Sequence, residues 1–494
     1  MFFLILRIKK LIKLKNTYVF YFVIISYILI NAYVLLFAKD MFYLFNLLPF
    51  AILIVLLAIF DIEKIMYVMV FSTPLAISLK ELGYDQGLNL SLPAEPLMIG
   101  ITLIYFLNEL SAGITDKRIL KHPITIIIFV QMAWILITTV TSELPVISIK
   151  FLLARTWFLT SCYFISTQLF KRKRAVINHL LFYSVALAIV AIVTTYKHAA
   201  YAFDEKIADW IVSPFYNDHT AYGAALAMYI PVMFGLMFMK NISNMIKIVC
   251  AILVTIFLIS IIVSFARAGW LSLTVSLAVL VTLLLKIKFR TILITIVVSV
   301  VLFMSFQTEI LMILGRNNTD SDGDFAANIE SMSNISTDAS NLERLNRWSC
   351  ALQMFQEKPV LGFGPGTYQF LYAPYQKSSL KTIISTNFGD KGNAHSEYLG
   401  PLCEQGLIGA IIVIILVFAV MFLGYRLVYT VKDKSVKILT ITILMGMSTY
   451  FVHGFLNNFL DTDKASVPFW GFLAMLVCID LYFKDEEPSN DKLI

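Results

Sequence analysis

The chain has 494 residues, of which 59% are hydrophobic and only 14% are charged. Soluble domains have roughly 45–50% apolar and 25% charged residues, so this composition excludes an ordinary soluble protein. The net charge of +7 would suit a nucleic-acid partner, but the sequence shows no surface of basic and aromatic residues, and no nucleic acid is expected to bind. The excess of Lys and Arg instead fits the cytoplasmic loops of a membrane protein.

Long apolar runs predict an all-α polytopic membrane protein with about 14 transmembrane helices, because one crossing needs about 20 mostly apolar residues. In chain order the predicted spans are 17–37, 41–60, 64–82, 93–110, 123–142, 151–170, 178–196, 220–239, 246–266, 268–286, 290–308, 398–424, 437–456 and 466–483. The connection between the second and third spans is short, which leaves a range of about 12–14 crossings open.

Lys and Arg residues predict the orientation of these spans, because they accumulate in cytoplasmic loops. Clusters fall on one side when the helices are counted through: residues 7–15, 117–121, 171–174, 240–247, 286–290 and 426–437. Both termini are therefore predicted to be cytoplasmic. The basic N-terminal segment is interpreted as a leader before a first helix that is not cleaved.

The predicted organisation has about 11 helices within 1–308, one large outer loop at 309–396, about 3 helices within 397–484 and a cytoplasmic tail at 485–494. The first half of the loop is polar, whereas its second half is rich in aromatic residues. We expect that second half to bury a small core and to form short helices. Cys350 and Cys403 lie near the outer face, where a disulfide is an open alternative.

The segment 341–368 combines an amphipathic helix with a glycine-rich turn. The helix carries Arg344 and Arg347, and it should end at Lys358-Pro359. Backbone N–H groups of the turn, which includes Gly364, can approach a phosphate. The alternatives are a solvated helix face for the arginines and a plain turn for the glycines.

His395 lies where the outer loop re-enters the membrane, and Glu404 follows inside the predicted membrane boundary. Histidine exchanges protons readily near neutral pH, so His395 is a candidate base. A carboxylate within a membrane is costly unless it is paired or functional, which makes Glu404 a candidate for substrate binding. A structural role for the histidine is the alternative.

Four further polar residues are candidates for the site. Arg267 lies between two predicted helices at their outer ends, and its planar fork suits an anion such as phosphate. Arg155 falls inside a predicted span, and Asp218 and His219 end the other outer loop. Snorkelling to the interface is the alternative for Arg267, and polar contact between helices is the alternative for the rest.

No metal or cofactor is expected from the sequence. It contains no cluster of His, Cys, Asp and Glu with metal-ligand spacing. The segment 318–330 is similar to a calcium loop, but its last acidic residue comes one position late for the bidentate ligand.

The motifs resemble those of the O-antigen ligase and polymerase superfamily. They are S-x-x-R-A-G-W around Arg267, Arg344 four residues before Trp348, P-x-x-G-x-G at 359–364, and H-S-E-Y-L from His395 followed by E-Q-G at 404–406. The similar stretch covers about 215–415, including Y-N-D-H-T and Pro231, and the helices before it match only in hydropathy. The polar insert at 317–341 departs from the family pattern, as do about two additional helices.

The resemblance implies a metal-independent, inverting glycosyltransferase at the periplasmic face of the bacterial inner membrane. Its donor would be a glycan on undecaprenyl pyrophosphate, within membrane lipid, and its acceptor a lipid A–core sugar. His395 resembles the catalytic base, Arg267 the arginine beside the membrane and Arg344 the arginine of the loop, a role for which Arg347 competes. Other outcomes remain open: a repeat-unit polymerase or a protein O-glycan ligase of the same superfamily, and a lipid-linked sugar transporter.

Overall fold

A computed structural model describes residues 17–37, 57, 60–83, 90–113, 115–305, 339–381, 385–386 and 392–487. It divides the chain into two units, Met1–Ile65 and Met66–Ile494. The predicted second span, 41–60, and the polar insert lie almost wholly outside the described residues.

The described residues are mostly helical. The helices are α1 (Thr17–Phe37), α2 (Ile62–Leu75), α3 (Ala94–Ala112), α4 (Lys117–Leu120), α5 (Pro123–Val140), α6 (Pro145–Leu159), α7 (Ser166–Leu169), α8 (Lys173–Ala199), α9 (Ala208–Ile211), α10 (His219–Leu236), α11 (Asn244–Val263), α12 (Arg267–Leu284), α13 (Phe289–Ser305), α14 (Ala339–Glu357), α15 (Tyr368–Leu371), α16 (Leu399–Thr430), α17 (Lys434–His453) and α18 (Asp463–Cys478). Two π-helical segments, Thr160–Ile165 and Ile479–Phe483, continue α6 and α18, and short 3-10 turns occupy Glu205–Ile207, Ala373–Tyr375 and Ser378–Leu380.

Seven helices within the described residues are long and apolar enough to cross a membrane. They are Pro123–Val140, Lys173–Ala199, Asn244–Val263, Arg267–Leu284, Leu399–Thr430, Lys434–His453 and Asp463–Phe483. Each coincides with a predicted span. Helices α1, α3, α10 and α13 also lie at predicted positions. A multi-pass helical membrane protein is therefore supported, while about 14 crossings stay a prediction.

The predicted span 64–82 is wrong in its second half. Helix α2 ends at Leu75, directly after Pro74, and the chain then enters β1 (Ile77–Ser78). This strand pairs antiparallel with β2 (Ser91–Leu92), Ile77 opposite Leu92. Proline has no N–H to continue a helix, and this explains why the apolar run does not stay helical.

Close helix packing surrounds α10, whose side chains are almost all buried. A Cβ on Gly235 would lie 2.0 Å from Thr442 Cγ2 of α17, and a Cβ on Gly446 would lie 2.6 Å from the carbonyl oxygen of Met228. Small residues allow such approach between helices in lipid, where van der Waals packing holds them together. The α10–α17 pair thereby fixes the positions from which the site is built.

The aromatic half of the large loop does form a core with short helices, as the sequence predicts. Its buried members are Cys350, Ala351, Met354, Phe363, Tyr368, Tyr372, Ala394 and Cys403. Both cysteines of this cluster, Cys350 and Cys403, are free, so the disulfide that the sequence left open is not formed. The core joins α14 and the glycine-rich turn to the first turn of α16, and it ends one residue before His395.

Candidate functional site

His395 is held in an uncommon backbone conformation at the edge of this loop core. Its φ angle is +47°, a region that few residues other than glycine adopt. Its N–H donates to Asn393 Oδ1 at 3.0 Å, and its carbonyl oxygen accepts from Trp348 Nε1 at 3.3 Å. Such a conformation persists when surrounding contacts determine it, and it is frequent at functional sites.

The surroundings of His395 favour its neutral form. Burial, together with the positive charges of Arg347 and Arg344, lowers the pKa of His395 to about 4, against a smaller opposing effect of Glu343. The imidazole is therefore neutral at neutral pH and has a nitrogen that can accept a proton.

Asn457 connects His395 to a second histidine. Asn457 contributes to the pKa of His395, and Asn457 Nδ2 donates to His453 Nε2 at 3.2 Å. The charges of Arg344 and His219 act on His453, which lies beside the backbone of Ala268. His453 lies inside the predicted span 437–456, and no sequence motif pointed to Asn457.

Arg344 and Arg347, which compete for one role in the sequence, have different surroundings. Arg347 is buried: its Nε donates to Glu343 Oε1 at 2.8 Å, its Nη1 donates to the carbonyl oxygen of Asn393 at 3.3 Å, and its guanidinium lies over the Tyr372 ring. Arg344 is only half-buried, and its charge reaches both histidines. Arg344 is thus the more exposed of the two arginines.

Arg267 begins α12 directly after a tight turn. Phe265 in that turn has a φ of +53°, and a Cβ on Gly223 of α10 would lie 2.4 Å from Ala266 Cβ. The guanidinium donates from Nη2 to Glu205 Oε1 at 2.9 Å, and the side chain is 27% exposed. The next residue, Ala268, is the one beside His453, so the structure brings this arginine's turn to the histidine pair.

Asp218 and His219 begin α10 and have local roles. Asp218 Oδ1 accepts from the N–H of Ala221 at 2.7 Å and from Thr220 Oγ1 at 2.6 Å, which is an ordinary helix N-cap. His219 Nδ1 donates to Asp209 Oδ1 at 3.1 Å, and this contact lowers the pKa of Asp209. Through its charge, His219 also acts on His453.

Gly364 and Glu404 bind each other's segments. The N–H of Gly364 donates to the carbonyl oxygen of Glu404 at 2.8 Å, and the carboxylate of Glu404 accepts from the N–H groups of Gly366 and Tyr368, each at 2.9 Å. These N–H groups are therefore occupied, and the predicted phosphate contact of the turn is not supported by this geometry. A carboxylate from α16 takes the place that a phosphate was expected to fill.

Arg155 lies apart from these arginines, in a cavity between helices. Its Nη2 donates to Asp461 Oδ1 at 2.8 Å, while Nη1 has no hydrogen-bond partner among the described residues. Glu397 lines the same cavity and accepts through Oε1 from Tyr450 Oη at 2.6 Å and from the N–H groups of residues 459 and 460. Burial and the neighbouring charge of Asp461 raise the pKa of Glu397.

Within the part of the chain that the structure describes, no three His, Cys, Asp or Glu side chains are grouped closely enough to hold a metal ion. The cluster of His395, Asn457, His453 and Arg344 instead offers a neutral base beside a cation. Such a pairing suits a reaction in which a hydroxyl loses a proton and an anion departs.

Residues 249–414 match the family model described as O-Antigen ligase. The matched stretch begins in α11 and ends in α16, and it contains Arg267, Arg344, Arg347, Gly364, His395 and Glu404. None of the curated proteins compared with the chain matches it.

Proposed function

Starting from an O-antigen ligase domain at residues 249–414, which supports glycan transfer of the ligase or polymerase type, we propose that this protein is an O-antigen ligase. It moves a glycan from undecaprenyl pyrophosphate to a hydroxyl of a lipid A–core sugar. The observation that carries the proposal is the half-buried His395, held at φ +47° by contacts with Asn393 and Trp348 and kept neutral in part by the charge of Arg344.

The chemistry needs a base and a place for negative charge. The acceptor oxygen attacks the anomeric carbon, and His395 takes the hydroxyl proton as the new C–O bond forms. The bond from that carbon to the pyrophosphate oxygen breaks, and the electron pair leaves with the pyrophosphate. Attack from the face opposite the leaving group inverts the configuration of the carbon.

Arg344 and Arg267 are assigned to the pyrophosphate. Arginine stays charged and donates two hydrogen bonds in a plane, which suits phosphate oxygens. Cations that are already in place act most strongly on charge that develops in the transition state. Arg347 is assigned a positioning role, because its guanidinium is buried against Glu343 and the carbonyl oxygen of Asn393.

The proposed location is the bacterial inner membrane, with the site facing the periplasm and both termini in the cytoplasm. Helix α16 supports this arrangement, since its first turn follows His395, while Arg426 near its other end pairs with Asp480. The part after Gly406, residues 407–430, is about 36 Å long at ~1.5 Å per residue, enough to cross about 30 Å of hydrocarbon.

A deletion strain tests the function. Envelope lipopolysaccharide is separated on a gel, and the pool of carrier-linked glycan is measured beside it. The ligase proposal expects lipid A–core without O-chain, accumulated long carrier-linked glycan, and rescue by the wild-type gene but not by His395→Ala at equal membrane levels.

Other patterns contradict the ligase assignment and identify the alternatives. Lipid A–core bearing a single repeat indicates a polymerase. A normal ladder with missing protein glycosylation indicates a protein ligase. A transporter is indicated if His395→Ala restores the ladder as well as the wild type does.

A further inference from the structure

A second polar pocket borders His395 and has no role in the chemistry above. Its volume is about 240 Å³, the scale of one sugar ring rather than of a chain of sugars. Asn393 lines it, and the same side chain accepts the N–H of His395. The pocket is therefore joined to the segment of His395 through Asn393.

Acidic side chains outnumber basic ones in the lining of the pocket. Four of them line it: Glu95, Asp218, Asp461 and Asp463. The one cationic side chain in its lining is Lys464, whose Nζ donates to the carbonyl oxygen of Ala76 at 3.0 Å and lies 3.7 Å from Asp463 Oδ1. Asp461 forms an ion pair with Arg155, which does not line this pocket.

Two buried acceptors in the pocket lack donors. Asp463 is 1% exposed, and its Oδ2 has no hydrogen-bond partner among the described residues; the same holds for Asn458 Oδ1. The charge of Asp463 also acts on Glu95, so two acidic side chains lie close together. Buried acceptors without donors cost free energy, which a ligand that supplies hydrogen-bond donors would recover.

The remaining wall is aromatic. Phe215, Tyr216 and Phe459 line it. Binding pockets for small molecules commonly combine apolar rings with a few polar groups that fix orientation. A sugar presents both surfaces that this pocket needs, because its C–H groups can pack on the rings and its hydroxyls can donate.

We propose that this pocket is a sugar subsite that favours a sugar bearing an ammonium group, accepts a neutral one, and rejects a carboxylated one. The proposal rests on the proposed function, because a glycan transferase must hold a sugar beside its base. The sugar can belong to the donor or to the acceptor. A carboxylate would face this group of acidic side chains, whereas an ammonium group would pair with them.

Binding of simple glycosides tests this without any turnover. The full-length protein in detergent at pH 7 is titrated with methyl glucosaminide, methyl glucoside and methyl glucuronide, and saturation-transfer NMR measures each Kd. We expect the glucosaminide to bind at least about tenfold more tightly than the glucuronide, since one short-range charge contact in a partly buried site supports such a ratio. A probe that competes with the carrier-linked donor assigns the subsite to the donor, and one that competes with the core acceptor assigns it to the acceptor.

Three variants establish that the pocket causes the difference. Asp463→Asn removes one charge at nearly constant size and should reduce the ratio at least about threefold. Asn458→Asp adds a carboxylate and should increase it. Glu357→Gln is the matched control, because Glu357 accepts from Tyr375 Oη outside the pocket lining.

The proposal is overturned if the glucuronide binds wild type as tightly as the glucosaminide, if no probe binds, or if both pocket variants keep the wild-type ratio. Failure of the transferase assignment shows separately, in the lipopolysaccharide gel of the deletion strain.

Discussion

Arg347 Nε donates to Glu343 Oε1 at 2.8 Å, one helical turn earlier on α14, and both side chains are only 6% exposed. The same guanidinium donates to the carbonyl oxygen of Asn393, and Ser385 Oγ donates to Glu343. The pair therefore ties α14 to the segment that carries His395. A charge buried in this way is costly when its partner is removed.

Removal of Arg347 should therefore damage the fold as well as the activity. Arg347→Ala leaves Glu343 buried without its main cation, and loss of one partner of a buried ion pair costs about 3–5 kcal/mol. We expect a clear fall in the thermal unfolding midpoint of the purified protein and loss of glycan transfer. Arg344→Ala, whose side chain is half-buried, should lose transfer with a much smaller change in midpoint. Equal midpoints for the two variants would contradict the division of roles.

The pH profile of transfer should reflect a histidine that is hard to protonate. Burial, Arg347 and Arg344 lower the pKa of His395 to about 4, and the neutral form is the base. Transfer should thus be retained as the pH falls through the ordinary histidine range near ~6.5, and it should be lost only as the pH approaches 4.

Rates of transfer by the purified protein between neutral and acid pH measure this. Glu397→Gln is the control, because Glu397 is a carboxyl group near the site with a raised pKa. Its removal separates titration of Glu397 from titration of His395. If the rate of transfer still falls near pH ~6.5 in this variant, His395 titrates in the ordinary range. That result would contradict the prediction that its surroundings lower its pKa.

The helices were predictable from the sequence because each needs only a local run of apolar residues. The roles of the histidine and the arginines stay predictions, and they rest on motifs that are local too. The contacts that distinguish Arg344 from Arg347 are not local: Arg347 meets Asn393, which is 46 positions away. The strand after Pro74 was missed because it lies inside an apolar run, residues 64–82, that is typical of a membrane span.

The contacts of Glu404 are also formed between residues far apart in the sequence, and local motifs could not predict them. A carboxylate inside a membrane boundary and a glycine-rich turn each suggested substrate binding, but the two segments satisfy each other across 38 positions. In the sequence, neither the carboxylate nor the glycine-rich turn indicates that the other is its partner. Arg155 and Asp461, 306 positions apart, are a further pair that no local pattern could join.

Glu404→Gln should destabilise the loop core. The carboxylate accepts from the N–H groups of Gly366 and Tyr368, whereas an amide has one acceptor oxygen and would direct its NH₂ group at one of these donors. Leaving a buried donor unsatisfied costs about 1–3 kcal/mol. The thermal midpoint should fall, and limited proteolysis should cut the 359–381 region faster.

Glu143→Gln is the control, because Glu143 pairs with Lys358 at a more exposed position. Its thermal midpoint should hardly change. A glutamine variant of Glu404 as stable as wild type would mean that the turn does not depend on its carboxylate.

Gly406 should tolerate no side chain at all. It interrupts α16 with φ +69° and ψ −171°, a combination that is essentially restricted to glycine. A Cβ there would lie 2.1 Å from the carbonyl oxygen of Val360. The same segments are held together because Leu407, the residue after Gly406, donates its N–H to the carbonyl oxygen of Pro359. Gly406→Ala should therefore cost about 3 kcal/mol or more and lower both the yield of folded protein in detergent and the transfer of glycan. Gly100→Ala is the matched control, because no atom lies within 4 Å of a Cβ at Gly100 within α3 and alanine favours a helix. If size-exclusion profiles and thermal midpoints of the two variants coincide, the break in α16 does not require glycine.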